Sequence, residues 1–86
     1  MIDGRQIRMA RAALRWTIGD LAKRAGVGER TIKRLESVDQ VQAANLATIQ
    51  KLKSCIEAAG IEFIGTPDDA PGIRIHQPAP ERARDR

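Results

Sequence analysis

The stretch from Trp16 to Glu36, WTIGDLAKRAGVGERTIKRLE, leaves the chain few ways to fold. Leu21, Ala22 and Ala25 recur at helical spacing, and Ile32 and Leu35 do the same further on. Between them, Ala25-Gly26-Val27 breaks the period. Glycine there supplies the left-handed backbone that ends a helix. The spacing therefore predicts two short helices joined by a tight turn. The second carries Glu29, Arg30, Lys33 and Arg34 away from its apolar side. This is the pattern of a helix-turn-helix, in which the second helix enters the major groove of duplex DNA.

Local chemistry marks where these helices begin. Thr17 followed by Asp20 reads as a capping box, with Asp in place of the usual Glu. Trp16 before the cap and Leu21 after it form a hydrophobic staple, so Trp16 is read as a packing residue rather than a DNA or ligand contact. Gly28 takes the cap position of the second helix, with Val27 before it and Ile32 after. Glycine caps slightly less well than serine, but its bare backbone lets a phosphate come close.

The flanks complete the fold. A first helix is expected from Asp3, its N-cap, to Leu14, with Ile7, Ala10 and Leu14 on one face and Arg5, Arg8 and Arg15 elsewhere. Ser37 to Gln42 is a polar connection. Ala43 to Ala59 reads as one helix or two nearly continuous ones, with an apolar stripe of Leu46, Ile49, Leu52, Ile56 and Ala59, stopped by Gly60. The period then shortens. Ile61 to Ile64 suggests a strand, Thr66 to Gly72 a turn containing Asp68 and Asp69, and Ile73 to Ile75 a returning strand. A lone hairpin is marginal in water. Its apolar residues Ile61, Phe63, Ile73 and Ile75 must pack on the long helix of the same chain or meet a second copy across a two-fold axis. The fold class expected is mainly α, a compact bundle of four to five helices containing the helix-turn-helix, with a short C-terminal β-hairpin. The domain is drawn over residues 1–76, with the hairpin at 61–76. Residues 77–86, rich in Pro, Ala and Arg, are expected to be a disordered tail.

Composition narrows the function. Eighty-six residues bound one domain, and a core this small favours help from a partner subunit. The net charge of +4 is unevenly placed. Residues 1–36 hold nine Lys and Arg against four acids, whereas residues 37–86 hold six against seven. The positive charge sits with the helix pair, as a phosphate-binding surface requires. Trp16 and Phe63 are the only aromatics, too few for the stacking that single-stranded nucleic acid demands. Cys55, the single cysteine, forms no internal disulfide and is expected to be a small core residue. His76 is the one histidine, and no metal-ligand spacing or phosphate-cradling glycine loop is present. No enzyme activity, cofactor or metal is expected. The apolar runs are shorter than a membrane span, and no apolar stretch follows Met1, so a cytoplasmic location is expected.

LAKRAGVGERTIKRLE resembles the helix-turn-helix of the phage repressor and Cro-type regulators, the XRE family. The resemblance runs over about Ile7 to Ala59 and is strongest at Leu21-Ala22, Ala25-Gly26-Val27, Thr31-Ile32 and Leu35-Glu36. The ending IEFIG…PGIRI is similar to that of short bacterial members. The resemblance implies a homodimer on a palindromic operator in double-stranded DNA, of the kind found in phages and mobile elements. It implies base reading by Glu29, Arg30 and Arg34; Arg30 or Arg34 would pair with guanine, and Glu29 would accept from cytosine. A plain solvated helix face, with Glu29 and Lys33 as an i,i+4 ion pair, is the alternative for these charges. Backbone contacts would come from Thr17, Gly28, Thr31, Lys33, Gln40 and Gln42. Arg11 and Glu36 fall where relatives join the first and third helices by an ion pair. Two departures stand out: Ile18 replaces a phosphate-bonding glutamine, and Val38 replaces a glycine after the recognition helix. RNA polymerase or another protein is a further conceivable partner. An antitoxin that neutralises a partner protein and represses its own operon is the alternative function, and an adaptor that bridges transcription proteins is a third.

Overall fold

The computed structural model describes residues 2–37 and 46–76. Four helices come first: α1 (Gly4–Leu14), α2 (Ile18–Ala25), α3 (Glu29–Glu36) and α4 (Leu46–Ala58). An antiparallel hairpin of β1 (Ile61–Thr66) and β2 (Asp69–Ile75) follows. The fold is a small, mostly helical one with a C-terminal hairpin.

Each helix boundary has a chemical cause. Asp3 caps α1 by accepting the Gln6 backbone N–H at 3.0 Å, while Gln6 Oε1 accepts the Asp3 N–H at 3.0 Å. These reciprocal bonds satisfy two amides that a helix start leaves orphaned. At the far end Arg15 turns left-handed (φ 59°), and the Trp16 N–H reaches back to the Arg11 carbonyl. Thr17 and Asp20 make the same reciprocal box at α2. Gly26 ends α2 at φ 71°, where its N–H bonds the Ala22 carbonyl. A residue with a Cβ would be strained in that conformation.

One core joins all elements. Ile7 and Ala10 of α1, Leu21 of α2, Ile32 and Leu35 of α3, and Ile49, Leu52 and Ile56 of α4 meet at its centre, with Ile2 and Ile61 sealing it. The stripe on α4 does not begin at Leu46, which is 63% exposed. The buried positions of α4 are Ile49, Leu52 and Ile56, where α2 and β1 pack against it. Cys55 is half-buried at the edge of the core rather than inside it. Residues 38–45 and 77–86 lie outside the described residues, and with them the start of the helix expected from Ala43, the expected tail, Val38, Gln40 and Gln42.

The hairpin is longer than its sequence suggests. Thr66 pairs with Asp69, so Pro67 and Asp68 alone form the turn, and Asp69 to Gly72 belong to β2 rather than to a loop. An irregularity between Ile64 and Thr66 makes this possible. Gly65 there adopts φ 73°, and a Cβ on it would lie 2.1 Å from the Ala70 carbonyl oxygen. Such a bulge absorbs an extra residue and lets Pro71 sit in the ladder. The hairpin is bolted to α1 by Gln6, whose Nε2 donates to the Ile64 and Gly72 carbonyls at 2.9 Å each. At its base, the His76 N–H bonds the Gly60 carbonyl at 2.8 Å.

Candidate nucleic-acid interface

α3 separates its two faces cleanly. Ile32, Leu35 and Glu36 are buried, and Arg30, Lys33 and Arg34 are exposed. Arg30 and Arg34 lie one turn apart on the side opposite the core, about 6 Å from each other along the axis. Among the described residues neither they nor Lys33 form an ion pair. Thr31 is half-buried at the margin of this face. The result is a short cationic ridge with water on its far side.

The inner face of α3 is clamped. Arg11 of α1 holds Glu36 by two bonds, Nε to Oε2 at 2.7 Å and Nη2 to Oε1 at 2.8 Å. Its remaining Nη1 donates to the Trp16 carbonyl at 3.0 Å. Only 22% of the Arg11 side chain and 7% of Glu36 remain exposed. The bond to Glu36 holds the guanidinium above its ordinary value, against the opposing effect of burial. Arg8 adds a hydrogen bond to the Glu36 carbonyl, placing a cation at the negative end of α3. Thus α1 fixes the orientation from which Arg30 and Arg34 project.

The starts of α2 and α3 differ. At α2, the Asp20 N–H is taken by Thr17 Oγ1 and the Thr17 N–H by Asp20 Oδ2. That backbone bond holds the Asp20 carboxyl below its ordinary value. The amides of Ile18 and Gly19 have no hydrogen-bond partner among the described residues. At α3, Gly28 makes no side-chain cap, and open space lies where its Cβ would be. Both starts carry partial positive charge and free N–H groups, the usual equipment for contacting a phosphate.

Glu29 sits apart from the base-reading group assigned to it. Its carboxylate turns back onto α2, with Oε2 only 3.3 Å from where a Gly19 Cβ would stand. It does not pair with Lys33. About 100° of helix separates Glu29 from Arg30, which is enough to send the two side chains different ways.

The four hairpin residues assigned to dimer contact do not stay together on a free surface. Cross-strand pairing puts Ile61 opposite Ile75 and Phe63 opposite Ile73, all on one face of the sheet. That face looks into the chain's own core. Ile61 is 2% exposed, Phe63 and Ile73 are half-buried against the core, and Ile75 alone is open, at 66%. Ile61 is therefore corrected from a contact between copies to a core residue of its own chain, because α4 lies against β1 and covers it.

Several residues of consequence escape the sequence pattern. Gln6 is fully buried and ties α1 to both strands. The spacing of Asp3 and Gln6 carries the capping-box signal that could have marked it. Arg8 and Gly19 act across helices and leave no local signature. Trp16 packs against the core and carries the Arg24 guanidinium 4.6 Å from its ring centroid. Beside it, Cys55 has its thiol pushed up by burial, which favours the neutral form. Among the described residues no group of His, Cys, Asp and Glu is arranged to hold a metal, and no helix is long and apolar enough to cross a membrane. No protein-family model matches this chain, no curated protein is detectably similar to it, and no solved structure matches it.

Proposed function

We propose that the chain is a sequence-specific, double-stranded DNA-binding regulator that works as a homodimer on a palindromic operator. One observation carries the reading. Arg30 and Arg34 stand one turn apart, exposed and free of ion pairs among the described residues, on a helix whose opposite face is locked by Arg11. Such a rigid cationic ridge fits a major groove, where arginine bonds guanine O6 and N7 bidentately. The uncapped helix start at Gly28, the Thr17 end of α2 beside it and the exposed Lys33 supply phosphate contacts that set register without reading sequence. Thr31, at the margin, contributes there as well. A palindromic operator calls for two copies, one recognition helix per half-site. Ile75, the one large exposed hydrophobic on the hairpin, with half-buried Phe63 and Ile73 beside it, is the surface offered to the second copy.

A mobility-shift assay tests this, using the DNA upstream of the chain's own gene and a random duplex of equal length. Arg34→Ala is expected to lower preference for the cognate duplex by about 1–3 kcal/mol, roughly five- to 150-fold. Lys33→Ala is expected to weaken both duplexes alike and to reduce the salt slope by about one. Wild-type behaviour of both variants on both duplexes defeats the assignment. A solution mass equal to one chain, with and without DNA, removes the homodimer.

A further inference from the structure

We infer that a second copy docks on the outer edge of β2, the two β2 strands pairing antiparallel about a two-fold axis at Arg74 to make one four-stranded sheet. The inference deepens the homodimer proposal and rests on it. The first observation is the direction of the main-chain groups. The His76 N–H bonds the Gly60 carbonyl at 2.8 Å, so Ile61 and Ile75, inside that pair, face each other without exchanging bonds. The alternation continues along the hairpin. Glu62 with Arg74 and Ile64 with Gly72 point N–H and C=O inward; Phe63 with Ile73 and Ile61 with Ile75 point them outward. Gln6 Nε2 agrees with this, since it reaches the Ile64 and Gly72 carbonyls together at 2.9 Å each, as carbonyls turned into the ribbon allow. The sheet has two strands, so the outward groups of Ile73 and Ile75 meet no third strand and have no hydrogen-bond partner among the described residues. Such an edge is a template for another strand.

The second observation is where that edge is open. β1 is covered by α4, and its Ile61 is buried. α1 holds the turn end of the hairpin, through Gln6 at Ile64 and Gly72 and through Arg5 at the Pro67 carbonyl. The base of β2 is left, where Arg74, Ile75 and His76 are all exposed. The third observation fixes the register. Outward groups of one copy bond only outward groups of the other. An axis at Gly72 or Ile73 would set Ile73 or Ile75 against Pro71, whose nitrogen has no hydrogen to give. An axis at Ile75 would bond a single pair within β2. An axis at Arg74 sets Ile73 of each copy against Ile75 of the other, and every N–H and C=O of these residues is used. Both isoleucines share the core-facing side of the sheet with Phe63, so the second copy covers the exposed Ile75 and the two apolar faces become continuous. Arg74 then stands opposite its own copy, and like charges so placed are destabilising. Glu62 offsets this on each side: its Oε1 accepts from Arg74 Nη1 at 3.0 Å.

Two measurements on the full chain test this. In a Cys55→Ala background, Arg74→Cys brings two thiols together at a non-hydrogen-bonded pair, the closest cross-strand position and one a disulfide can span. With oxidised glutathione, Arg74→Cys is expected to give at least five-fold more covalent dimer than Glu62→Cys, which lies one strand further from the axis. Equal yields, or no covalent dimer from Arg74→Cys in a solution whose mass is that of two chains, overturn the inference and leave the homodimer standing. A mass of one chain at every concentration removes the homodimer and this inference together, and leaves base reading by α3 to the mobility-shift assay. The second measurement needs no substitution. Amide hydrogen exchange at Ile73 and Ile75 is expected to slow at least ten-fold between solutions in which the mass is that of one chain and of two, with the outward Phe63 amide of β1 unchanged. Exchange at Ile73 and Ile75 that ignores this change of mass, or slowing at Phe63 instead, overturns the inference whatever the cross-linking yields.

Discussion

α2 and α3 are both eight residues long, lie three residues apart, and spend their ends in opposite ways. α2 opens on a closed reciprocal cap between Thr17 and Asp20 and ends on a left-handed glycine. α3 opens on Gly28 with no side chain to cap it, and its far end is gripped from outside by Arg8 and Arg11. A helix this short is not stable alone. α2 obtains its stability partly from its own sequence. α3 obtains it from α1 and the core, which leaves its first turn and its outer face free to meet a ligand.

That contrast can be broken in order of effect. Arg11→Ala removes the outside grip on α3 and strands Glu36 in a largely buried place. The expected loss is about 3 kcal/mol, the low end for breaking a buried pair because Arg11 keeps some solvent contact. Chemical denaturation measures it, and a loss below about 1 kcal/mol would show that α3 does not depend on α1. Thr17→Ala should cost about 1 kcal/mol by opening the α2 cap, lowering the melting temperature by roughly 4–8 °C. Gly28→Ser does the reverse at α3. It should raise the melting temperature by about 2 °C while weakening DNA retardation, because the new cap takes an amide a phosphate would use. A variant that gained on both counts would separate the cap from the interface.

The smallest effect concerns pH. The Asp20 carboxyl titrates below its ordinary 3.8 in the folded chain because it accepts the Thr17 backbone N–H. A depressed folded value means stability that is present above 3.8 and lost as pH falls through the lower folded value. Asp20→Asn should therefore flatten the acid limb of a stability–pH profile and leave its shape above pH 5 unchanged. An unaltered acid limb would mean that other carboxylates govern it.

The helix limits were legible because their signals are local. Asp3, Thr17, Gly26 and Gly60 each act on backbone within a turn of themselves, and the apolar stripes of α1 and α3 follow a fixed period. The candidate site was legible for the same reason: the positions of Ile32 and Leu35 put Arg30 and Arg34 on the opposite face. The hairpin was only half legible. The run Thr66 to Gly72 reads as turn chemistry, yet most of it pairs as strand, because Gly65 and Ala70 take left-handed backbone and restore the register. Leu46 and Ile61 were misjudged because coverage by neighbouring elements, rather than side-chain type, decides burial.

The sequence alone determined where α1, α2 and α3 start and stop and which way each one faces, since capping and amphipathic period are written within a few residues. Only the tertiary structure decided what lies against those faces. It sank Gln6 between two strands, closed α4 over Ile61 and laid the Glu29 carboxylate on Gly19. Each of these contacts joins residues with no shared local signal, so it exists only once the core has drawn the elements together.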